Sequence, residues 1–143
     1  MILVAVFGTV EVAQARAWPV ARSNLTGFAL TTGAVRITDH SLTRAPAGRL
    51  GALSAAQGSS CAASEYLEWR GQADPGEIAV RVSDQARAAG YALSDSGLRK
   101  NGDRITLSFL MVRADVRVVG VIQAGNSQNA QLAWCRLKSG PRK

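Results

Sequence analysis

Residues 74–90 read DPGEIAVRVSDQARAAG, and this stretch decides the fold class. Asp74 suits a helix N-cap, Pro75 the first helical position and Glu77 the third, from which a carboxylate can return to the cap's own N–H. Ile78, Val82 and Ala86 then recur every four residues, with Ala79 and Ala89 beside them, as one apolar stripe. Gly90 supplies the left-handed residue that commonly follows a helix. The spacing predicts a helix over about 75–89 with one face buried.

After Gly90 the apolar period changes from four to two, the signature of strands. Asn101-Gly102 is a strong hairpin signal, because both residues tolerate the positive φ of a type I′ turn. That two-residue loop sets Leu98 opposite Ile105 and Ser94 opposite Phe109. A second reversal centred on Ala114-Asp115 sets Met111 opposite Val118, Phe109 opposite Gly120 and Leu107 opposite Ile122. The Phe109 ring is then free to lie over the bare Gly120 backbone. Gly125–Asn129 reads as the next loop and Leu132–Leu137 as the last strand. In this register Tyr91, Leu93, Leu110, Val112, Val119 and Val121 form an apolar surface on the side away from the helix. Something must cover that surface: either the first half of the chain, which has the Leu, Phe and Val to pack there as a second layer, or a binding partner.

Upstream of the helix, Tyr66-Leu67-Glu68-Trp69 reads as a strand behind the small residues Ala62, Ala63 and Ser64. If this strand and the one after the helix run the same way, the strand containing Cys135 runs opposite to the strand starting at Cys61. Both cysteines then fall at one end of the sheet, within reach of a bridge if the first and last of these strands are neighbours. A helix crossing between antiparallel neighbours would instead separate them. Cys61 and Cys135 are the only two cysteines, so their pairing is the one disulfide available. Two buried thiols are the alternative.

The first half carries weaker signals. Phe28–Thr38 contains strand-like residues interrupted at Thr31-Thr32-Gly33, and Pro46–Gln57 can be drawn as a short helix with Leu50 and Leu53 inward and Gly58 as its stop. The expected architecture is an α+β domain: one helix on a four- to five-stranded, mainly antiparallel sheet, preceded by a strand and short-helix half. Residues 18–143 form that single domain. Residues 1–17 are a candidate cleavable signal segment: Ile2–Phe7 is apolar, and Ala13-Gln14-Ala15 and Ala15-Arg16-Ala17 are small-x-small sites. No Lys or Arg precedes that run, and Ile2–Phe7 also fits a buried strand of the mature fold. The run is too short for a transmembrane helix.

The 143 residues contain 17 Lys+Arg against 10 Asp+Glu, a net charge of +7. Loss of residues 1–17 removes one residue of each sign, Glu11 and Arg16, and leaves that balance unchanged. With one His and two Cys, a four-ligand Cys/His zinc site cannot be assembled, and no motif calls for a cofactor. Asp39, His40 and Ser41 are adjacent and so make no triad, which needs convergence from separate positions; His40 reads as a loop residue at a helix entrance. Glu65 and Glu68 fall on opposite faces of their strand and make no carboxylate pair. No Gly-rich phosphate loop occurs, and Asn24-Leu25-Thr26 matches the glycosylation sequon. No catalytic residue is assigned.

These features point to a small exported protein of the bacterial cell envelope or exterior, periplasmic or secreted. It would be a non-enzymatic module binding a protein or small ligand. The alternative is a basic cytosolic domain, with residues 1–17 retained as a strand, that binds nucleic acid or another polyanion through Arg99, Lys100, Arg104, Arg136 and Lys138. Those cations divide between the 101–102 hairpin and the carboxyl end, which weakens the case for one groove.

Overall fold

The structure is a computed structural model that describes residues 17–71, 73–125 and 129–139. In chain order the elements are β1 (Ala17–Pro19), β2 (Ala34–Ile37), α1 (His40–Ala56), β3 (Cys61–Trp69), α2 (Pro75–Ala88), β4 (Ala92–Asp95), β5 (Arg99–Asn101), β6 (Arg104–Arg113), β7 (Val116–Ala124) and β8 (Ala130–Leu137). The strands join one antiparallel sheet in the order β1-β2-β3-β8-β7-β6-β4, with β5 also paired to β6. The α+β class holds, but the sheet has eight strands rather than four or five, because the first half adds β1 and β2 and the strand leading to the 101–102 turn is broken at 96–98 into β4 and β5. Residues 1–16 of the candidate leader lie outside the described residues.

Helix α2 forms where the capping signals place it. Asp74 Oδ1 accepts from Gly76 N at 2.9 Å, and Ile78, Val82 and Ala86 are its buried residues. At its far end Tyr91 N donates to Ala86 O and Gly90 N donates to Arg87 O, with Gly90 at φ +87. That pair of bonds is a Schellman closure, which uses the carbonyls the helix leaves open. The stripe packs on Leu67, Trp69, Phe109, Met111, Ile122 and Trp134.

Alternate residues of the same strands, among them Val119, Val121, Ala133, Cys135 and Leu137, point to the other face and meet Leu50 of α1. The first half therefore supplies the covering layer for Leu110, Val119 and Val121. Helix α1 is longer than the Pro46–Gln57 expectation. Asp39 accepts from Ser41 N at 2.9 Å and starts the helix six residues before Pro46. Pro46 removes one interior hydrogen bond, yet it sits buried in line with Thr43, Leu50 and Ser54. Gly58, at φ +68, ends α1 with the same closure as α2.

The second hairpin has the expected register, with Met111↔Val118, Phe109↔Gly120 and Leu107↔Ile122. A Cβ on Gly120 would lie within 3.0 Å of three Phe109 ring atoms, so the bare backbone is a packing requirement. The first hairpin differs. Asn101 pairs with Arg104, which makes Gly102-Asp103 the loop. Gly102 has φ +61 and Asp103 is not in the positive region, the φ pattern of a type II′ rather than a type I′ turn. Between β5 and β4 the chain then slips by one residue at Ser96–Leu98, where Asp95 Oδ1 accepts from Gly97 N at 2.7 Å. Leu93 consequently faces Met111, and both Leu93 and Tyr91 pack on the α2 side instead of the α1 side. A one-residue slip exchanges faces.

Strand β3 pairs antiparallel with β8, and Cys61 and Cys135 are bridged with Cα atoms 5.6 Å apart. The bridge closes a separation of 74 residues and contributes about 4 kcal/mol in the loop-entropy model. Chemical denaturation of the Cys61→Ser/Cys135→Ser double variant is expected to show a loss near that size. Gly120→Ala is expected to cost about 1–3 kcal/mol through the Phe109 clash. By contrast, Gly48→Ala and Gly51→Ala, on α1 with nothing within 4 Å, should each add roughly 0.5–1 kcal/mol.

Candidate functional site

Strand β2 pairs with β3 only from Ala34↔Trp69 to Arg36↔Leu67 and then turns away into α1. Among the described residues no strand lies beside the first half of β3 on that side, and a notch opens there. The notch is closed from the α2 face by a tight turn at Ser23–Gly27, where Gly27 N donates to Ser23 O and Gly27 has φ +75.

Glu65 holds that turn. The residue is only 5% exposed. Oε1 accepts from Ser23 Oγ at 2.6 Å and Trp134 Nε1 at 2.8 Å, while Oε2 accepts from Asn24 N at 2.8 Å and from Arg36 Nε and Nη2 at 3.1 and 2.8 Å. Burial pushes this carboxyl upward, but the bonds from Ser23, Asn24, Arg36 and Trp134 outweigh it and hold it below the usual glutamate value. Five donors occupy both oxygens, so Glu65 has no free lone-pair direction for proton transfer to a substrate. It is a structural anion joining the first half to β3 and β8.

A trough runs along the sheet beside α1, from the notch past Tyr66 to the beginning of β6. Its first hollow, about 490 Å³, is lined by Asn24, Arg36, His40, Glu65 and Tyr66 among others. A second, about 360 Å³, shares Ile37, Thr43 and Tyr66 with the first and continues to Glu68, Asn129 and Gln131. A third, about 200 Å³, shares those last three residues and adds Arg104 and Gln123. Tyr66 and Glu68 therefore stand at the two junctions. Both project to the α1 side, opposite Glu65, as the alternation along β3 requires.

Glu68 ends a line of side-chain amides. Gln131 Nε2 donates to Glu68 Oε1 at 3.3 Å, and Gln123 Nε2 donates to Gln131 Oε1 at 3.0 Å. The backbone register aligns them, since Glu68↔Gln131 and Gln123↔Gln131 are direct cross-strand partners. Arg70 Nε meets the other Glu68 oxygen at 3.4 Å. Gln123 Oε1 is shielded from solvent and accepts no hydrogen bond from the described residues; Arg49 Nη1 on α1 is likewise shielded and without a partner among them.

His40 is exposed at the first turn of α1, on the rim of the first hollow. Ser41 Oγ donates to Asp39 Oδ1 at 2.7 Å as part of the helix cap, so these three residues form a cap and not a triad. Arg99, Lys100 and Arg104 are exposed around the Gly102 turn, whereas Arg136 and Lys138 lie at the other end of the sheet. Arg136 is level with Met111 across β7 and Arg99 with Thr106, so the nearest members of the two groups are roughly 20 Å apart. Among the described residues no group of three His, Cys, Asp or Glu side chains converges to hold a metal ion, and no helix is long and apolar enough to cross a membrane.

Reading from residues alone missed the Glu65 hub and the amide line. The period-two pattern put Glu65 and Glu68 on opposite faces but carried no information on which donors would surround them. Comparison with protein-family models, with curated proteins and with solved structures gave no match.

The depressed Glu65 carboxyl links stability to pH. Its contribution is fully present above the unfolded value of about 4.3 and is lost as pH falls through the lower folded value. Glu65→Gln should therefore lower stability at neutral pH by about 3 kcal/mol, because Arg36 is left without its counter-charge. The difference from wild type should shrink in acid. Urea titrations at a series of pH values measure both effects.

Proposed function

We propose that this chain is an exported, non-enzymatic binding module, periplasmic or secreted, that holds its ligand in the trough beside α1. The observation that carries the reading is the continuity of the three hollows through Tyr66 and Glu68. A pre-formed concavity with mixed apolar and polar walls is the usual form of a small-ligand site. Its most buried carboxylate, Glu65, is spent on structural bonds, and the Ser41 hydroxyl next to His40 donates to the capping Asp39, which favours binding over catalysis. The Cys61–Cys135 bridge supports the exported assignment, since such bonds persist in oxidising compartments.

Two measurements test the reading. Protein recovered from its native host should resist thiol alkylation without reductant, and two alkyl additions to the folded, unreduced chain would contradict export. An NMR screen of small-molecule mixtures against the labelled protein should move resonances clustered at Thr43, Tyr66 and Gln131, and Tyr66→Ala should abolish the response. Shifts confined to Arg99–Arg104 that fade steeply with added salt would instead support the polyanion-binding alternative.

A further inference from the structure

The amide line on the trough floor has a direction, and that direction has a consequence. The Glu68 carboxylate only accepts hydrogen bonds. Gln131 must therefore present its NH2 to Glu68, which leaves its oxygen to accept from the next residue. Gln123 must in turn present its NH2 to Gln131. Each amide is oriented by the charge at the end of the line, and the far end is obliged to be a carbonyl oxygen. That atom, Gln123 Oε1, has no donor among the described residues. An unsatisfied buried acceptor is costly, at the scale of a lost hydrogen bond or more, so the third hollow is incomplete in a defined sense: it is short of one donor. Arg104 lines the same hollow and brings N–H groups that require acceptors.

From this geometry we infer that the end of the trough bounded by Glu68, Gln123, Gln131 and Arg104 is a binding site for a neutral saccharide. The inference rests on the binding reading above and names its ligand class. A hydroxyl group both donates and accepts, so adjacent hydroxyls satisfy Gln123 Oε1 and the Arg104 guanidinium together. Gln123 Oε1 is shielded in this structure, so binding includes a small displacement of the side chains over it. A carboxylate or phosphate would be drawn to Arg104 but would set negative oxygens against Gln123 Oε1 and Glu68. A cation would face Arg104 and Arg70. Tyr66, in the adjoining hollow, offers an aromatic ring of the kind that packs against sugar C–H faces. The adjoining hollows give room for more than one sugar ring.

The test is titration of the isotopically labelled full chain with maltotriose, with chitotriose and, separately, with inorganic phosphate, following the side-chain amide signals of Gln123 and Gln131. One of the trisaccharides should move both signals with a Kd of about 1 mM or tighter. Gln123→Leu, which removes the unsatisfied oxygen, should weaken that binding by about tenfold. Glu68→Gln, which removes the charge that orients the line, should weaken it as well while the melting temperature stays close to wild type. Movement caused by phosphate alone overturns the saccharide assignment. Trisaccharide shifts confined to Thr43 and Tyr66 also overturn it, while leaving a ligand in the trough. If neither the trisaccharides nor the small-molecule mixtures move any trough residue, both readings fail.

Discussion

The antiparallel pairing of β3 with β8 joins parts of the chain that are otherwise separate in sequence. Everything from β4 to β8 is a local meander in which each strand is near its predecessor along the chain. Strand β3 comes before helix α2, and only its contact with β8, at the end of the meander, brings the first half of the molecule into the sheet. Cross-strand partners run from Cys61↔Leu137 to Trp69↔Ala130 with one shift near the start. The disulfide crosses this seam at one end, and Glu68–Gln131 hydrogen bonding crosses it at the other.

Glu65 gives the seam its specificity. Its carboxylate receives Trp134 from β8, Arg36 from β2 and the Ser23–Asn24 turn, so three parts of the chain converge on one buried charge of β3. Replacing such a group with an apolar residue often costs little if every partner is replaced too, but removing it alone strands the donors. The aromatic packing around it depends on the same placement: Phe28 meets Trp134 edge-on at 5.9 Å and Tyr91 at 6.0 Å. The first half thus covers both faces of the sheet, with α1 on one side and the 20–30 segment beside α2 on the other. The trough is the space left where β2 parts from β3 and α1 does not reach the far end of the strands.

Much of the second half was readable from residue pattern. The caps and four-residue stripe placed α2, and the alternation around Gly120 set the β6–β7 register, because both signals are local and each agrees with the packing it leads to. The pairing of β3 with β8 followed from strand directions combined with the count of two cysteines. Legibility ended where a local signal competed with another. Asn101-Gly102 is a stronger type I′ pair than Gly102-Asp103, yet the slip at Ser96–Leu98, with Gly97 at φ +74, lets Leu93 and Tyr91 turn toward the larger core. Pro46 resembles a helix start, but Asp39 offers a better cap and Pro46 is accepted inside α1 through its buried contact. The Glu65 hub and the amide line were not readable: the partners of Glu65 lie 29 to 69 positions from it, Glu68 lies 63 positions from Gln131, and all belong to types that are ordinary on any surface.

Residue-resolved hydrogen exchange of the oxidised protein tests the role of the β3–β8 seam most directly. If that pairing organises the sheet, the interior amides of β3 and β8 exchange only through global unfolding, with free energies equal to those of the β7 core. Asn24 N donates to Glu65, so Glu65→Gln should lower protection at Asn24 by at least the global loss that β3, β7 and β8 share, while those three strands remain coupled. Exchange of β3 at a free energy well below that of β7 and β8 in the wild-type protein would contradict the account, since it would show the meander standing without the strand on which the site is built.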